Sequence, residues 1–367
     1  MHPLRWLRPV GLELVFGIWV LVVAIGFLLH PEDPSYALTR IVEFKWVLIL
    51  YVMFEVMQVA QPGRRIFLLV FLLGLVISSL SLFLYFADFP IFQPWRYGFG
   101  PQELLRVGGL FTNPMTFAHS FVVFFCFLLG LALFDYQSWT GGQKILAGVT
   151  LLLAVWALYL SFTRGVWIGL CLALIFGVAF WKPRHLASII LAFVVGIGSL
   201  YHFSGEFRSR VNRTIGEMNG ASERKDIWRA HLEVFRENPI FGAGYGQNSR
   251  DLPRVYEKLG IDPHTLVSHA HNQYLHLAAG TGILGLLCYL VIWFFFLRQC
   301  FMLWKHQQLD RWDRGVVWGI TVGLIAFLIG GLTEANFEHS KVRFMVMLAW
   351  AYVIYLSRKY QEIGTRR

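Results

Sequence analysis

Apolar residues in this chain come in long, nearly unbroken runs. They show neither the alternation of a half-buried strand nor the half-polar stripe of a surface helix. A helix needs about 20 apolar residues to cross a bilayer. By that measure the pattern predicts ten membrane helices, over roughly 11–29, 41–60, 66–88, 115–134, 145–162, 166–181, 187–203, 274–297, 316–333 and 344–357. The lysines and arginines between them concentrate in every second loop, as the positive-inside rule requires. With the N-terminus cytoplasmic, the inner segments carry Arg5 and Arg8, Arg64 and Arg65, Lys144, Lys182 and Arg184, Arg298 to Arg314, and Arg358 to Arg367. An even number of spans returns the C-terminus to the same side. The short outer loops are leaner: Arg40 in one, Arg96 and Arg106 in another, Lys341 and Arg343 in a third. Arg5 and Arg8 precede an apolar run long enough to span and followed by no small-x-small cleavage pattern. A retained first helix is therefore expected rather than a signal peptide.

One segment interrupts this rhythm. Residues 204–272 form a long outer loop, which divides the chain into spans one to seven (1–203), the loop (204–272) and spans eight to ten (273–367). Its basic residues are nearly all arginine, from Arg208, Arg210 and Arg213 through Arg224 and Arg229 to Arg250 and Arg254. Acidic residues nearly balance them, so a solvated face of local ion pairs is one reading. Bidentate grip on phosphate is the other. Ser222 to Asn238 reads as a helix with Ile227, Trp228, His231, Leu232, Val234 and Phe235 near one stripe. Ser222 is placed to cap it, and Pro239 ends it. The glycine-rich turn after it, Gly242 to Gly246, lacks the strand–turn–helix setting of a dinucleotide site.

Composition agrees with a polytopic membrane protein. Of 367 residues 56% are hydrophobic, 17% aromatic and 15% charged, against about 25% charged in soluble domains. The formal net charge is +10, from anchoring charges, sites for anionic ligands, or both. Cys126, Cys171 and Cys288 lie in apolar runs and Cys300 just past one. That excludes a disulfide-stapled exterior domain, and no zinc-type Cys/His spacing occurs.

Candidate chemistry gathers at the outer face. Ser268-His269-Ala270-His271-Asn272-Gln273-Tyr274-Leu275-His276 runs without a spacer into the eighth span. Polar groups at a membrane boundary are costly, so they tend to have a task. His269 and His271 would not share a helix face, His271 and His276 share one loosely, and the nearest other ligand candidates are Asp262 and His264. The spacing therefore favours a general base over a metal centre, because an imidazole ordinarily titrates near working pH. Ser161-Phe162-Thr163-Arg164-Gly165 breaks the chain between spans five and six, and Arg164 there reads either as snorkelling to headgroups or as an anion clamp. Arg224, one turn before Trp228, reads either as paired with Glu223 or Asp226 or as a phosphate ligand, with Arg229 beside it. Gly109 to His119 enters span four irregularly, and Glu334, Asn336, Glu338 and His339 leave span nine at the same face. Glu43 and Lys45 suit an interface, and Glu55 a buried hydrogen bond.

Together these pieces resemble the superfamily of bacterial O-antigen ligases and O-antigen polymerases. Three motifs carry the resemblance: His271-Asn272 followed by Gly282 and Gly285; Thr163-Arg164-Gly165; and Arg224 with Trp228, Asn238-Pro239 and Gly242-x-Gly244. Gly109-Leu110-Phe111-Thr112-Asn113-Pro114 also looks like the family. The ligase-like core would span about 100–350. The resemblance implies an inverting glycosyltransferase that works without a metal or other cofactor, in the bacterial inner membrane with its site on the periplasmic face. The implied donor is a glycan on undecaprenyl pyrophosphate. The acceptor is a sugar hydroxyl of lipid A–core for a ligase, a growing repeat for a polymerase, or a protein. Its partners are these lipid-linked substrates and the bilayer, with no nucleic acid. His271 is the expected base. Arg164 and Arg224 are expected on the pyrophosphate, Arg229 or Arg106 in support, and Asn272 orienting the imidazole or the acceptor. A transporter of an anionic lipid-linked substrate is the competing class, but no internal repeat is visible and the charges cluster at one face.

Overall fold

A computed structural model describes residues 11–30, 42, 44–87, 106–111, 113–205, 207–209, 211–212, 223–262 and 269–365. Several sequence expectations fall outside these residues: Arg5, Arg8, Arg40, Glu43, Arg96, Thr112, Arg210, Arg213, Ser222, His264, Ser268, Arg366 and Arg367. The described residues are helical with no strand among them, as an all-α polytopic membrane protein requires. The main helices are α1 (Glu13–Leu29), α2 (Lys45–Ala60), α3 (Phe67–Phe86), α4 (Pro114–Asp135), α5 (Gly141–Leu160), α6 (Arg164–Trp181) and α7 (Leu186–Phe203). They continue as α8 (Glu223–Glu237), α9 (Asn248–Lys258), α10 (Gln273–Trp304), α11 (Arg311–Gly330) and α12 (Ser340–Thr365).

Each of the ten expected spans is a helix, and seven are long and apolar enough to cross a membrane. The other three are α1, α2 and α12. At 1.5 Å per residue, the 17 residues of α1 and 16 of α2 reach about 26 and 24 Å, short of a bilayer's roughly 30 Å core. In α12 the apolar stretch is flanked within the helix by Lys341, Arg343, Arg358 and Lys359.

The chain forms two compact units. One comprises 48–181, 295–330 and 336–367. Its centre is α11, which packs along α4 and α6. Small residues allow the approach: a Cβ on Gly319 would lie 2.8 Å from Phe127 Cα, and one on Gly315 3.1 Å from Leu131 Cα. Close backbone contact of this kind is how helices associate where lipid removes the hydrophobic drive. The Trp318 indole donates to Gly177 O at 3.2 Å across the α11–α6 seam. Asn336 Nδ2, just beyond α11, donates to Phe327 O at 2.8 Å, with His119 Nδ1 3.3 Å away.

The other unit comprises 1–47, 182–294 and 331–335. Here α8 and α9 pair over Ala230, Val234, Leu252, Val255 and Tyr256, which close on Ala279 of α10. Lys258 Nζ reaches Glu233 at 2.8 Å and Glu237 at 2.9 Å, and Arg254 also pairs with Glu237. Trp19 of α1 stacks edge-on to Phe44, Trp46 and Tyr289.

The feature that shapes this unit is a break in α10 at Gly282, whose φ of 64° and ψ of −168° no ordinary residue adopts. The turn after Pro239 fits into the break. Ile283 N donates to Pro239 O at 2.8 Å, and Ala243 N donates to Ala279 O at 2.9 Å. Interrupted backbone within an apolar helix must find partners elsewhere. Here the 239–243 turn supplies them.

Candidate active site

Immediately before α10 the chain makes a tight turn at 269–272. Asn272 caps the helix: its Oδ1 accepts from Tyr274 N and Leu275 N, both at 3.0 Å. Its Nδ2 donates to Leu332 O at 3.2 Å, and Gln273 N donates to Gly331 O at 2.7 Å. The 331–335 segment is thereby fastened along the turn. The Trp228 indole of α8 donates to Ala270 O at 2.9 Å from the other side. Held at both flanks, His271 takes a left-handed backbone with φ 46°. That region is sparsely used by residues other than glycine and tends to be retained where geometry matters.

The fastening brings Glu334 to the histidines. His271 Nδ1 lies 3.2 Å from Glu334 Oε2, and His269 Nε2 lies 3.2 Å from Glu334 Oε1. Ala335 N donates to Oε1 as well, at 3.2 Å. Glu334 is 2% exposed at its side chain, His271 18% and His269 35%, so a buried carboxylate carries two imidazoles that open progressively to the outside. Burial alone would push the Glu334 carboxyl up. The hydrogen bonds from His269 and His271 reverse this and hold it well below the usual carboxylate range. As an ionised acceptor it requires N–H on both facing nitrogens. His271 therefore carries its proton on Nδ1 and, when neutral, presents a lone pair on Nε2. His269, His271 and Glu334 also offer ligand atoms all within 4.8 Å of one another, a set that could hold a cation.

A second histidine pair lies behind. His231 of α8 is fully buried, and its Nδ1 donates to Ile227 O at 2.8 Å, which leaves Nε2 without its hydrogen. Its ring is 6.2 Å from that of His276. Burial, with the neighbouring His276, lowers its pKa to about 3.

Of the expected site residues, His271, Asn272, Arg224 and Arg229 belong to this unit. Arg224 is half-buried and stands one turn before Trp228 on α8. Arg229 is 62% exposed and pairs with Asp226 at 3.5 Å. Arg164 and Arg106 belong to the other unit, Arg164 at the α5–α6 break and Arg106 bonded to it. Arg106 Nε donates to Ser161 O at 2.9 Å and Nη2 to Thr163 Oγ1 at 3.1 Å, while Val107 N donates to Leu160 O at 2.9 Å. Arg106 thus satisfies carbonyls at the buried C-terminal end of α5, where Phe162 is also left-handed at φ 47°. Arg164, half-buried, begins α6 directly after this braced turn.

Sequence reasoning put Glu334 at the same face as the histidines without linking it to His271. Its signal was a carboxylate just past one apolar run, at the face where another run opens with histidines.

The fold and this arrangement define an all-α polytopic membrane protein with an imidazole–carboxylate cluster where α10 begins. Residues 149–290 match the family model described as O-antigen ligase, so this stretch of the chain is similar to that family. The matched stretch includes Arg164, Arg224, Arg229, His271 and Asn272, and ends before Glu334. No curated protein matches the chain.

Proposed function

We propose that this protein transfers a glycan from undecaprenyl pyrophosphate to a sugar hydroxyl of lipid A–core, with inversion, at the periplasmic face of the inner membrane. The family supports a glycosyltransferase-type membrane enzyme acting on lipid-linked glycans. The observation that carries the base assignment is His271, with Nδ1 bonded to a buried carboxylate and the ring partly open.

In this reading the acceptor oxygen attacks the anomeric carbon and its proton passes to His271 Nε2. The bond from that carbon to phosphate breaks, and its electron pair leaves with undecaprenyl pyrophosphate. The leaving group is an anion, so guanidinium groups supply the stabilisation the transition state needs without requiring a metal. Arg224 and Arg164 are the residues proposed for that charge. Arg229 is proposed in support, and Arg106 supports Arg164 by bracing the turn that presents it.

The test uses purified protein in nanodiscs with undecaprenyl-pyrophosphate-linked glycan and lipid A–core. Wild type should form the glycan–core conjugate. His271→Ala should lose transfer by about 10²-fold or more while still binding donor, the range a general base contributes. Elongated lipid-linked glycan with no core conjugate would replace the ligase reading with a polymerase. Full transfer by His271→Ala would remove the base assignment.

A further inference from the structure

We propose that Glu334 is the positioning residue of the reaction: it fixes His271 as the Nδ1–H tautomer with Nε2 turned to the acceptor hydroxyl, and His269 in turn pins the carboxylate. The inference rests on the reading of His271 as base. It adds a residue outside the matched family domain and sixty-three positions away in sequence.

Three observations carry it. Glu334 is nearly fully buried, and an isolated carboxylate there would be costly. Its oxygens are occupied by three donors, His271 Nδ1, His269 Nε2 and Ala335 N, so it is held as an acceptor with little freedom to turn. The segment that carries it is itself fastened to the base, through Gln273 N to Gly331 O and Asn272 Nδ2 to Leu332 O. The backbone of the base and the backbone of its carboxylate are therefore tied together beside the side-chain contact. A carboxylate needed for packing alone would not require the two segments to be hydrogen-bonded to each other beside it.

The chemistry that follows is limited and balanced. Glu334 takes no proton. When the acceptor hydroxyl gives its proton to Nε2, the imidazolium charge forms against the ionised Glu334, which stabilises it. When the proton returns to solvent, His271 goes back to the Nδ1–H form. His269 holds Oε1 while Oε2 serves His271, so losing His269 leaves the pair formed but less well aimed.

The experiment compares wild type, Glu334→Gln, Glu334→Asp and His269→Gln in the same nanodisc assay, with folding read from a thermal melt. Glu334→Gln keeps the side-chain shape and removes the charge. Its kcat should fall about 10²-fold with donor KM nearly unchanged, a large part of what a positioned base provides. The acid limb of its pH profile should move to lower pH, because the anion that favours the imidazolium is gone. Glu334→Asp should recover part of the loss, and His269→Gln should lose less than Glu334→Gln. Diethyl pyrocarbonate labelling of His271 against pH, read by mass spectrometry, reports the same shift without any substrate.

A Glu334→Gln protein with wild-type kcat and labelling profile would overturn the proposal while leaving the base reading intact. A lower melting temperature with kcat per folded molecule and pH limb unchanged would make Glu334 structural, and overturn it too. If chelation abolished wild-type transfer and a divalent cation restored it, the three side chains would be a metal site instead. Retained transfer in His271→Ala marks failure of the base reading itself.

Discussion

The break in α10 gives the sharpest quantitative test of how this unit is built. Gly282 sits at φ 64° and ψ −168°, and a Cβ added there would overlap the Ile240 carbonyl and come within 2.6 Å of Phe241 N. The obstacle is backbone on both counts, so no side-chain rotation relieves it. Gly282→Ala therefore costs about 1–3 kcal/mol for the backbone conformation. Parting the turn from the helix would also weaken Ile283 N to Pro239 O and Ala243 N to Ala279 O, each worth about 1 kcal/mol. The total is about 3–5 kcal/mol, a large fraction of a typical domain's stability.

The chain carries its own reporter. Cys126, Cys288 and Cys300 are buried and free, so a thiol-reactive dye fluoresces as the protein opens on heating. Gly282→Ala should melt well below wild type in detergent and lose transfer. Gly148→Ala is the control, because its Cβ would meet nothing within 4 Å and alanine favours a helix by about 1 kcal/mol. A Gly282→Ala protein that melts with wild type and transfers normally would refute the account of the break.

Three further outcomes follow from particular groups. His231 is buried neutral with its pKa lowered to about 3. The unfolded chain takes up its proton near pH 6.5 while the folded chain does not, so acidification destabilises the loop. At pH 5 the loss is about 2 kcal/mol, seen as faster amide exchange in α8 than at pH 7.5 and absent in His231→Gln. Glu233 and Glu237 are held below the usual carboxylate range by Lys258 with Arg236, and by Arg254 with Lys258. Their contribution to α8–α9 pairing should persist above about pH 4.3, fade as pH falls through the lowered values, and weaken in molar salt. Exchange in α9 that ignores both variables would contradict this. Asn272→Ala removes the α10 cap and should cost about 1 kcal/mol. Asn272→Asp keeps the two accepted bonds but loses the donation to Leu332 O, so it should melt closer to wild type while still lowering kcat.

How much of this was legible in the sequence depends on the length scale of each signal. The spans were readable because a bilayer imposes a run length, and run length is a local property. The loop helix was readable because Ile227, His231 and Val234 recur at helical spacing, with Pro239 as a stop, although Trp228 and Leu232, read into the same stripe, lie on its exposed side. The helix after it, α9, went unread. Its buried face, Leu252, Val255 and Tyr256, also has helical spacing, but Pro253 lies inside the pattern and is a residue that helix interiors disfavour. The glycines at 282 and 285 stood out in the apolar run after the histidines and in the resemblance, without a physical role. Their physical reason is a distant turn lodged against one and the Thr281 side chain against the other.

Glu334 marks the limit. Three of its bonding partners are unremarkable one at a time: a histidine in a polar run, another two places on, and the next amide. What makes them a site is that the start of α10 and the segment after α11 are joined by hydrogen bonds from Gln273 N to Gly331 O and from the Asn272 side chain to Leu332 O, which no periodicity encodes. A single sequence can show that an ionisable group stands at a costly boundary, and it did so for His271. It cannot show which distant carboxylate offsets that cost. The search is nonetheless narrow, because charges this close to a membrane rarely stand unpaired. Two acidic residues follow α11 closely, Glu334 and Glu338. Of the two, Glu334 lies in the 331–335 segment that is bonded to the turn before α10. The same reasoning predicts that a membrane enzyme of this design places its positioning carboxylate within a few residues of a helix end, where the backbone can fix it without a soluble domain to do so.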